Sequence, residues 1–372
     1  MIEIKGKYNK AVVFTDDIDD GAVAQIKELC DQPFVKGSKI RIMPDAHAGA
    51  GCVIGTTMTV EDKVVPNLVG YDIGCGVVTA KLSTDNINLE KLDNYIKTSI
   101  PHGFDVNDRI VRDFPIEKLN CYKKLNKPER LRKSLGTLGS GNHFIEIDKN
   151  DKGELYLIIH TGSRNLGKQV AQFYQKRASE THKELPKHLA YCEGNQLDDY
   201  LWDIELVQEY SKINKIVILE KILDRFNINM KDYYITTHNY IDLERKILRK
   251  GAVSALKSEK LTIPINMKYG SVICRGKGNP EWNYSAPHGA GRLMSRNEAK
   301  KTISLESLKD DMEGIYTSSI SKATIDESPR AYKSADDVLN NTKDTIEILE
   351  YIKPIYNFKA WKSYGKILEV KK

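Results

Sequence analysis

Residues 69–77 read Val69-Gly70-Tyr71-Asp72-Ile73-Gly74-Cys75-Gly76-Val77 and place a carboxylate and a thiol three residues apart among three glycines. Glycine permits tight turns and close backbone approach, so a bend here can aim Asp72 and Cys75 at one point. Because two anions at one point repel each other, a cation between them is the natural partner. The segment therefore predicts a metal-binding turn, and a glycine-rich turn around a buried structural cysteine is the alternative interpretation.

Short strands separated by polar loops lead up to this turn. In chain order, the sequence predicts a strand over Lys10–Phe14, a capped helix from Asp20, a strand over Lys39–Met43 and a strand over Cys52–Val60. The polar loop Pro44–Gly51 follows a strand, which is a common place for chemistry. Within that loop we interpret His47 as a hydrogen-bonded histidine of a small-residue turn.

Three histidines occupy the start or the end of a predicted strand. His143 follows a glycine-rich loop and begins a strand, His160 ends the apolar strand from Leu155, and His238 ends the strand from Tyr233. A buried histidine is usually a hydrogen-bonded core residue, but the same placement three times favours convergence on one metal site. From cysteine, histidine and aspartate ligands alone, the expected metal is zinc.

Two further loops have the chemistry of anion sites. Glycines directly after His288 leave its imidazole open to a large substrate, and Arg292 and Arg296 share one face if a helix starts there. Such an imidazole suits nucleophilic or acid–base work on an anionic substrate. The hydroxyls and amides around Arg164, directly after a strand, predict a phosphate cradle. A plain turn is the alternative for both loops, and the Walker pattern is absent.

The remaining segments read as ordinary secondary structure. We predict a mainly helical segment over 168–230 with His182 and His188 on its surface, a helix carrying Arg245 to Lys250, and solvated helices over 300–352. The basic run Lys123–Lys133 is interpreted as a solvated helix face rather than as a nucleic-acid surface.

Composition sets the broad class. The chain has 372 residues, a net charge of +6 and 40% hydrophobic residues, values of a globular protein with a sizeable core. Its six cysteines show no disulfide pattern, and no apolar window is long enough to cross a membrane, so we expect a cytoplasmic protein. Candidate site residues run from Asp45 to His288, which favours one interwoven catalytic domain over 1–372.

The combination of motifs resembles the RtcB family of GTP-dependent RNA ligases, over nearly the whole chain. The motifs that carry the resemblance are Pro44-Asp45-Ala46-His47, Gly70-Tyr71-Asp72-Ile73-Gly74-Cys75-Gly76, Gly141-Asn142-His143-Phe144-Ile145-Glu146, His160-Thr161-Gly162-Ser163-Arg164, Thr237-His238-Asn239, Arg249-Lys250-Gly251-Ala252 and His288-Gly289-Ala290-Gly291-Arg292. The resemblance implies an α/β fold of the α+β type, with a mixed β-sheet core and surrounding helices.

The resemblance also implies roles for individual residues. Asp72, Cys75 and His143 would hold one Mn²⁺ ion, and Cys75 would bridge to a second ion held by His160 and His238. His288 would be the catalytic nucleophile that accepts GMP from GTP. The residues that would contact the guanylate are Asn142, His143, Phe144, Ile145, Glu146, His238, Asn239, Pro264, Ile265, Asn266, Met267, Ser271, His288, Gly289, Ala290, Gly291, Arg292 and Lys371. Arg164, Arg292 and Arg296 would hold phosphates of GTP or RNA.

The reaction that the resemblance implies joins RNA ends carrying a 3′-phosphate or a 2′,3′-cyclic phosphate to 5′-hydroxyl ends, in RNA repair or tRNA splicing. Three departures from the family pattern concern substrate preference: Ala-Gly-Ala-Gly after His47, Ile265 in place of a small residue, and a Val-Lys-Lys terminus in which Lys371 or Lys372 could serve. A guanylyltransferase that caps RNA ends or a phosphoesterase, neither of which ligates, and a non-catalytic RNA-binding protein are the alternatives. The sequence identifies no protein activator.

Overall fold

Two large sheets meet in the computed structural model, which describes residues 1–360. The strands are β1 Ile2–Lys5, β2 Lys10–Val13, β3 Ile40–His47, β4 Ile54–Thr59, β5 Lys63–Val64, β6 Gly76–Leu82, β7 Phe144–Lys149, β8 Leu155–Thr161, β9 Cys192–Glu193, β10 Met230–Thr237, β11 Asn239–Asp242, β12 Ile247–Lys250, β13 Ala252–Ser254, β14 Lys260–Asn266, β15 Gly270–Gly276, β16 Ser285–Pro287 and β17 Ile346–Lys359. The helices are α1 Asp20–Cys30, α2 Leu89–Ser99, α3 Pro128–Lys133, α4 Arg164–Thr181, α5 Asn195–Phe226, α6 Arg296–Thr302, α7 Leu305–Asp311 and α8 Ala335–Asn340.

The first sheet has six strands in the order β1-β2-β3-β4-β12-β11, and the second has seven in the order β10-β6-β8-β7-β17-β15-β14. The pair β2–β3 is parallel, whereas the other pairs in the two sheets are antiparallel. The six-stranded sheet is therefore mixed, and the predicted α+β class with a mixed sheet is confirmed. No helix within residues 1–360 is long and apolar enough to cross a membrane.

The long helix α5 packs against both halves of the molecule. Its first half contributes Ile204 and Val207 to the core beneath the six-stranded sheet, and its second half contributes Ile218 and Ile222 to the core of the seven-stranded sheet. Burying these side chains is the main favourable term for fixing the helix between the sheets. One rigid element therefore sets the relative position of the two cores.

Polar residues in the middle of α5 serve the neighbouring loops. Asn214 is fully buried; its Oδ1 accepts hydrogen bonds from the Gly136 and Thr137 amides, and its Nδ2 donates to the Gly162 carbonyl. Such loop backbone groups would otherwise be buried without partners, at a cost of about 1–3 kcal/mol each. The helix thus holds the loops on both sides of β7 and β8.

Two predicted helices are wrong. Residues 245–250 do not form a helix, because β11 and β12 make a hairpin whose second strand also pairs with β4. Arg249 is fully buried and donates to Ser285 Oγ and Tyr240 Oη, so its charge belongs to the core of the fold. Residues 346–352 belong to β17, where Ile346-Glu-Ile-Leu-Glu-Tyr-Ile pairs with β15. An alternating pattern of this kind is typical of a strand.

Two local predictions also need correction. The strand that we ended at Pro44 continues as β3 to His47, with a shift of register against β4 between Ile42 and His47. His182 is buried rather than on the surface, and its imidazole lies 3.2 Å from a carboxylate oxygen of Glu184. The irregular pairing explains why Pro44 is tolerated within β3, because proline occurs in strands where the regular ladder is interrupted.

Candidate metal centre and nucleotide site

The register of three neighbouring strands brings the predicted metal ligands together. Strand β6 begins directly after Cys75, and its first residue, Gly76, pairs with Thr161 of β8 on one side and Thr237 of β10 on the other. His160 and His238 adjoin those two partners in sequence, so both reach Cys75. Strand pairing therefore brings these distant residues together, because burial of the faces of the sheet fixes which residues pair.

The five predicted ligands form two groups that share one thiol. Cys75, His160 and His238 form one group and Asp72, Cys75 and His143 the other, with ligand atoms within 4.8 Å of one another in each. The Cys75 Sγ lies 3.5 Å from His143 Nε2 and 3.3 Å from His160 Nε2. Two overlapping groups of three ligands fit a pair of ions bridged by a thiolate.

The imidazoles of His143 and His160 are oriented as metal ligands. Nδ1 of His143 donates to the Leu138 carbonyl at 2.8 Å, and Nδ1 of His160 donates to the Asn142 carbonyl at 3.1 Å. With the proton on Nδ1, the lone pair of Nε2 is left for a cation, which is the usual arrangement of a metal-bound histidine. The Nε2 atoms of His160 and His238 lie 3.0 Å apart, a placement that a cation between them would stabilise.

Burial decides the charge of these ligands. Burial lowers the pKa of His160 and of His238 well below the ordinary value, so both rings are neutral and ready to coordinate. Burial and the nearby Asp72 raise the pKa of the Cys75 thiol, so a thiolate there requires a cation. The donor set of thiolate, carboxylate and neutral imidazole fits divalent transition metals.

The carboxylate of Asp72 is held by its surroundings. Burial by itself would raise its pKa, but a proton between His143 Nε2 and Oδ2, which lie 3.0 Å apart, and the charge of Arg164 keep the pKa below its usual range; a bound cation would take the place of that proton. The Ser163 amide donates to Oδ1 at 2.9 Å. A Cβ on Gly162 would lie 2.2 Å from Oδ1, so glycine is required in the His160–Arg164 motif.

The backbone of the ligand turn is fixed from behind by α5. The Gly74 carbonyl accepts hydrogen bonds from Ser211 Oγ at 2.6 Å and from Lys215 Nζ at 2.8 Å, and both side chains are fully buried. The Gly74 amide donates to the Asn239 carbonyl at 2.6 Å. Burial lowers the pKa of Lys215 to about 8, while the acids Cys75 and Asp72 favour its charged form.

His288 adjoins the metal centre from the other sheet. Its ring centroid lies 4.8 Å from that of His238, and its Nδ1 lies 2.6 Å from Oδ2 of the fully buried Asp45. The same oxygen accepts the amides of His288 and Gly289 at 3.1 and 3.3 Å. Because Nδ1 faces Asp45, Nε2 is the nitrogen available for a substrate.

A cavity of about 220 Å³ opens beside His288. Most of the residues predicted to contact guanylate line it, and these are Asn142, Phe144, Glu146, His238, Pro264, Ile265, Asn266, Met267, His288, Gly289, Ala290, Gly291 and Arg292. His47 lines it as well, although we assigned this residue a merely structural role. Its Nδ1 also contacts the Asp45 carbonyl at 3.0 Å.

The other predicted guanylate residues lie elsewhere. His143 belongs to the metal centre, and the Ile145 side chain is buried in the core of the seven-stranded sheet. Asn239 donates to the Asp72 carbonyl at 3.3 Å, so it supports the ligand turn. Ser271 follows the lining residue Gly270 and is buried, with no hydrogen-bond partner for its hydroxyl among the described residues. Lys371 lies outside the described residues.

The three predicted phosphate arginines have different surroundings. Arg296 lines the cavity, begins α6 and pairs with Asp326 at 2.7 Å, so it shares no helix with Arg292. Arg292 precedes that helix and donates to the Asp326 carbonyl at 2.6 Å. Arg164 is on the metal side, where its Nε donates to Thr137 Oγ1 at 3.0 Å.

Sequence reasoning missed several residues of the cavity. Lys359 and Glu327 line it and pair with each other at 2.9 Å, and Tyr332 donates to Glu327 at 2.7 Å. Burial by itself would raise the pKa of Glu327, but Lys359 and Arg296 lower it to about 2. Glu327 and Tyr332 lie in the segment 300–352 that was predicted as solvated helix, and Lys359 lies beyond it in a stretch without a local motif. The sequence showed Asp45 within the Pro44–His47 motif, but it did not indicate that His288 is its partner.

Comparison with known proteins agrees with this geometry. A sequence model of the family described as tRNA-splicing ligase RtcB matches residues 25–121 and 117–360. The RNA-splicing ligase RtcB of Escherichia coli strain K12 is 31% identical over 386 residues, which cover 91% of this chain and 94% of the relative. The tRNA-splicing ligase RtcB of Aeropyrum pernix is 28% identical, with 88% and 90% covered. Matches of this extent and identity show that the chain belongs to the RtcB family.

Proposed function

We propose that this RtcB-family protein joins RNA ends in a GTP-dependent reaction that passes through guanylylated His288. The observation that carries the proposal is the position of the imidazole, between the fully buried carboxylate of Asp45 and the group Cys75, His160 and His238. A nucleophile oriented by a carboxylate and directed at a cavity is the arrangement expected for covalent catalysis. The substrates are RNA ends with a 3′-phosphate or 2′,3′-cyclic phosphate and a 5′-hydroxyl.

The arrangement of Asp45 and His288 accounts for the first step, the attack on GTP. Nδ1 of His288 lies 2.6 Å from Oδ2 of Asp45, so the carboxylate would stabilise the positive charge that the ring gains during attack, and Nε2 is the nitrogen left for the substrate. Nε2 attacks the α-phosphorus of GTP, an N–P bond forms, and the bond to pyrophosphate breaks. Because Asp45 is fixed by the His288 and Gly289 amides, the ring does not have to reorient before attack.

The later steps transfer and release GMP. A 2′,3′-cyclic phosphate end is first hydrolysed by water to a 3′-phosphate. An oxygen of the RNA 3′-phosphate attacks the guanylyl phosphorus, and the N–P bond to His288 breaks as GMP moves to the RNA. The oxygen of the 5′-hydroxyl then attacks the activated RNA phosphate, which forms the new phosphodiester and expels GMP. The three steps consume one GTP and return free His288.

Five residues would hold the ions, which we propose to be two Mn²⁺. Asp72, Cys75 and His143 would hold one, and Cys75, His160 and His238 the other. When bound, divalent ions neutralise phosphate charge and orient a leaving group in such transfers. Arg292 and Arg296 line the nucleotide cavity and would face phosphate oxygens.

The reaction is proposed for a reducing cytoplasm, because all six cysteines are free thiols and none forms a disulfide. A single catalytic domain over 1–372 remains a prediction. RNA repair and tRNA splicing use the same ends, so the proposal covers both.

A covalent-labelling assay tests the proposal. Purified protein with Mn²⁺ and α-³²P-GTP is expected to form an acid-labile labelled adduct, and His288→Ala is expected to form none. His182→Ala is the matched control, since this histidine is also buried but pairs with Glu184. Label retained in His288→Ala would overturn the assignment of the nucleophile.

Ligation is measured separately on one RNA with a 3′-phosphate and another with a 5′-hydroxyl. A joined product is expected. Guanylylated or dephosphorylated RNA without any joined product would instead identify an end-capping or phosphoesterase activity.

A further inference from the structure

A second cleft lies on the far side of the ligand turn and has no part in the chemistry above. It has a volume of about 940 Å³ and opens between the end of α2, the loop 101–108 and α3. We call it the α2–α3 cleft. The lining residues that matter here are Lys97, His102, Asp105, Lys127, Arg130 and Lys133.

The floor of the α2–α3 cleft touches the metal centre. His102 forms a β-bridge with Gly139, and the Gly103 amide donates to the Gly139 carbonyl at 2.6 Å. Gly139 is packed tightly, because a Cβ on it would lie 1.6 Å from Arg164 Nη1 and 3.0 Å from His143 Nδ1. The cleft is thus separated by one residue from a metal ligand and from the predicted phosphate arginine.

The α2–α3 cleft and the nucleotide cavity approach the metal centre from different sides. The cavity is lined by His160, His238 and His288, whereas the cleft adjoins His143 and Arg164. Arg164 joins the cleft loop to the metal side, because its Nη2 donates to the Gly103 carbonyl at 3.2 Å. RNA held in the cleft would therefore lie close to the metal ligands without occupying the nucleotide cavity.

Two of the cations in the cleft lie outside the described ion pairs. Four cations line it, Lys97, Lys127, Arg130 and Lys133, against the three carboxylates Asp105, Asp108 and Glu129. Lys133 pairs with Glu129 at 2.9 Å, and Lys97 pairs with Asp93 at 2.7 Å. Lys127 and Arg130 are exposed, so they are the cations placed to meet a backbone phosphate.

The loop 101–108 also carries an exposed aromatic residue. Phe104 is 57% exposed, although most aromatic side chains of its size are buried in folded proteins. Its backbone carbonyl accepts a hydrogen bond from Arg130, which fixes the loop against α3. An open ring next to cations is the combination with which proteins bind single-stranded nucleic acid, because any unpaired base can stack on it.

We propose that the α2–α3 cleft binds single-stranded RNA adjoining one of the ends to be joined, with Phe104 stacking on a base and Lys127 and Arg130 holding phosphates. The inference rests on the proposed function and names a surface for its RNA substrate. Single-stranded RNA fits better than a duplex, because a paired base cannot stack on Phe104 and because an end must leave its helix to reach buried ions.

Binding is measured by fluorescence anisotropy with a labelled 12-nucleotide oligouridine at several salt concentrations. Phe104→Ala is expected to weaken affinity about tenfold. The double variant Lys127→Ala/Arg130→Ala is expected to reduce the slope of log K against log salt by about 1.4, since each contact to single-stranded nucleic acid contributes about 0.7. Tyr233→Ala, at another exposed aromatic on β10, and Lys301→Ala on α6 are the controls and are expected to bind like wild type.

Cross-linking locates the RNA directly and does not depend on variants that fold. Wild-type protein irradiated with 5-iodouridine RNA is expected to yield a cross-linked peptide that contains Phe104. Cross-links confined to other peptides, or equal affinity of both cleft variants and wild type with unchanged thermal unfolding, would overturn the inference.

The wild-type guanylylation assay without RNA separates the two proposals. Absence of the His288 adduct would overturn the proposed function, whereas a normal adduct together with undiminished RNA binding by the cleft variants would overturn only the cleft. Binding of duplex and single-stranded RNA with equal affinity would also overturn the assignment of single-stranded RNA.

Discussion

Oδ2 of Asp45 lies 2.6 Å from Nδ1 of His288, although 243 residues separate them in the sequence. The two residues come from different parts of the fold, since Asp45 is in β3 and His288 follows β16. We propose that this contact orients the imidazole, with Nδ1 towards the carboxylate and Nε2 left for the substrate. It is therefore the first relationship to test.

Asp45→Asn should reduce the rate of His288 guanylylation by at least about 10²-fold, because an amide in place of the carboxylate no longer holds the imidazole in the reactive tautomer. Single-turnover formation of the labelled adduct measures the effect. Asp113→Asn, at a highly exposed carboxylate, serves as the control. A rate for Asp45→Asn within twofold of wild type would show that the contact has no role in the chemistry.

Removing single ligands should change the metal stoichiometry in a pattern that identifies the bridge. Cys75→Ala should lose both ions, because the thiol belongs to both ligand groups, whereas Asp72→Ala and His238→Ala should each retain one. Equilibrium dialysis against Mn²⁺ followed by metal analysis gives the numbers. Cys121→Ala, at another buried cysteine, should retain both ions, and two ions in Cys75→Ala would exclude a bridging role.

Lys215→Met should weaken metal binding about 10–100-fold, because the ammonium group holds the Gly74 carbonyl and thereby fixes the turn that carries Asp72 and Cys75. Titration calorimetry with Mn²⁺ measures this affinity. Lys250→Met is a matched control, since Lys250 is also buried and donates to the carbonyls of Ala50, Cys52 and Asn67, away from the ligands. Equal losses of metal affinity in both variants would indicate a general loss of stability instead.

Glu327 should make stability depend on pH in the acid range. Its pKa is about 2 in the folded protein and 4.5 as the ordinary value. Its ionised form therefore stabilises the fold fully above about pH 4.5, and this contribution is lost as the pH falls towards 2. The difference corresponds to about 3 kcal/mol at neutral pH.

Urea unfolding of wild type and Glu327→Gln between pH 7 and pH 2 measures this contribution. The gap in the free energy of unfolding should be widest above pH 4.5 and should narrow below it. Glu281→Gln changes an exposed ion-paired carboxylate and should show little pH-dependent gap. A gap that is constant with pH would mean that Glu327 acts by packing alone.

Local sequence patterns predicted the candidate metal-ligand cluster to a large extent. Glycines around Asp72 and Cys75 indicated a tight turn, and apolar runs ending at His160 and His238 indicated strands with ligands at their ends. Both features are encoded within a few residues, because backbone freedom and side-chain alternation are local properties. The sequence alone also determined the α+β class and the family resemblance.

Only the tertiary structure decided the contacts between distant segments. Arg249 looked like a solvated helical cation, but pairing of β12 with β4 buries it. Lys359 and Glu327 meet in the nucleotide cavity because β17, which carries Lys359, pairs between β7 and β15 in the seven-stranded sheet. No short window of sequence specifies that pairing. The physical reason is that strand register and burial depend on the whole core, whereas propensity acts on neighbouring residues only.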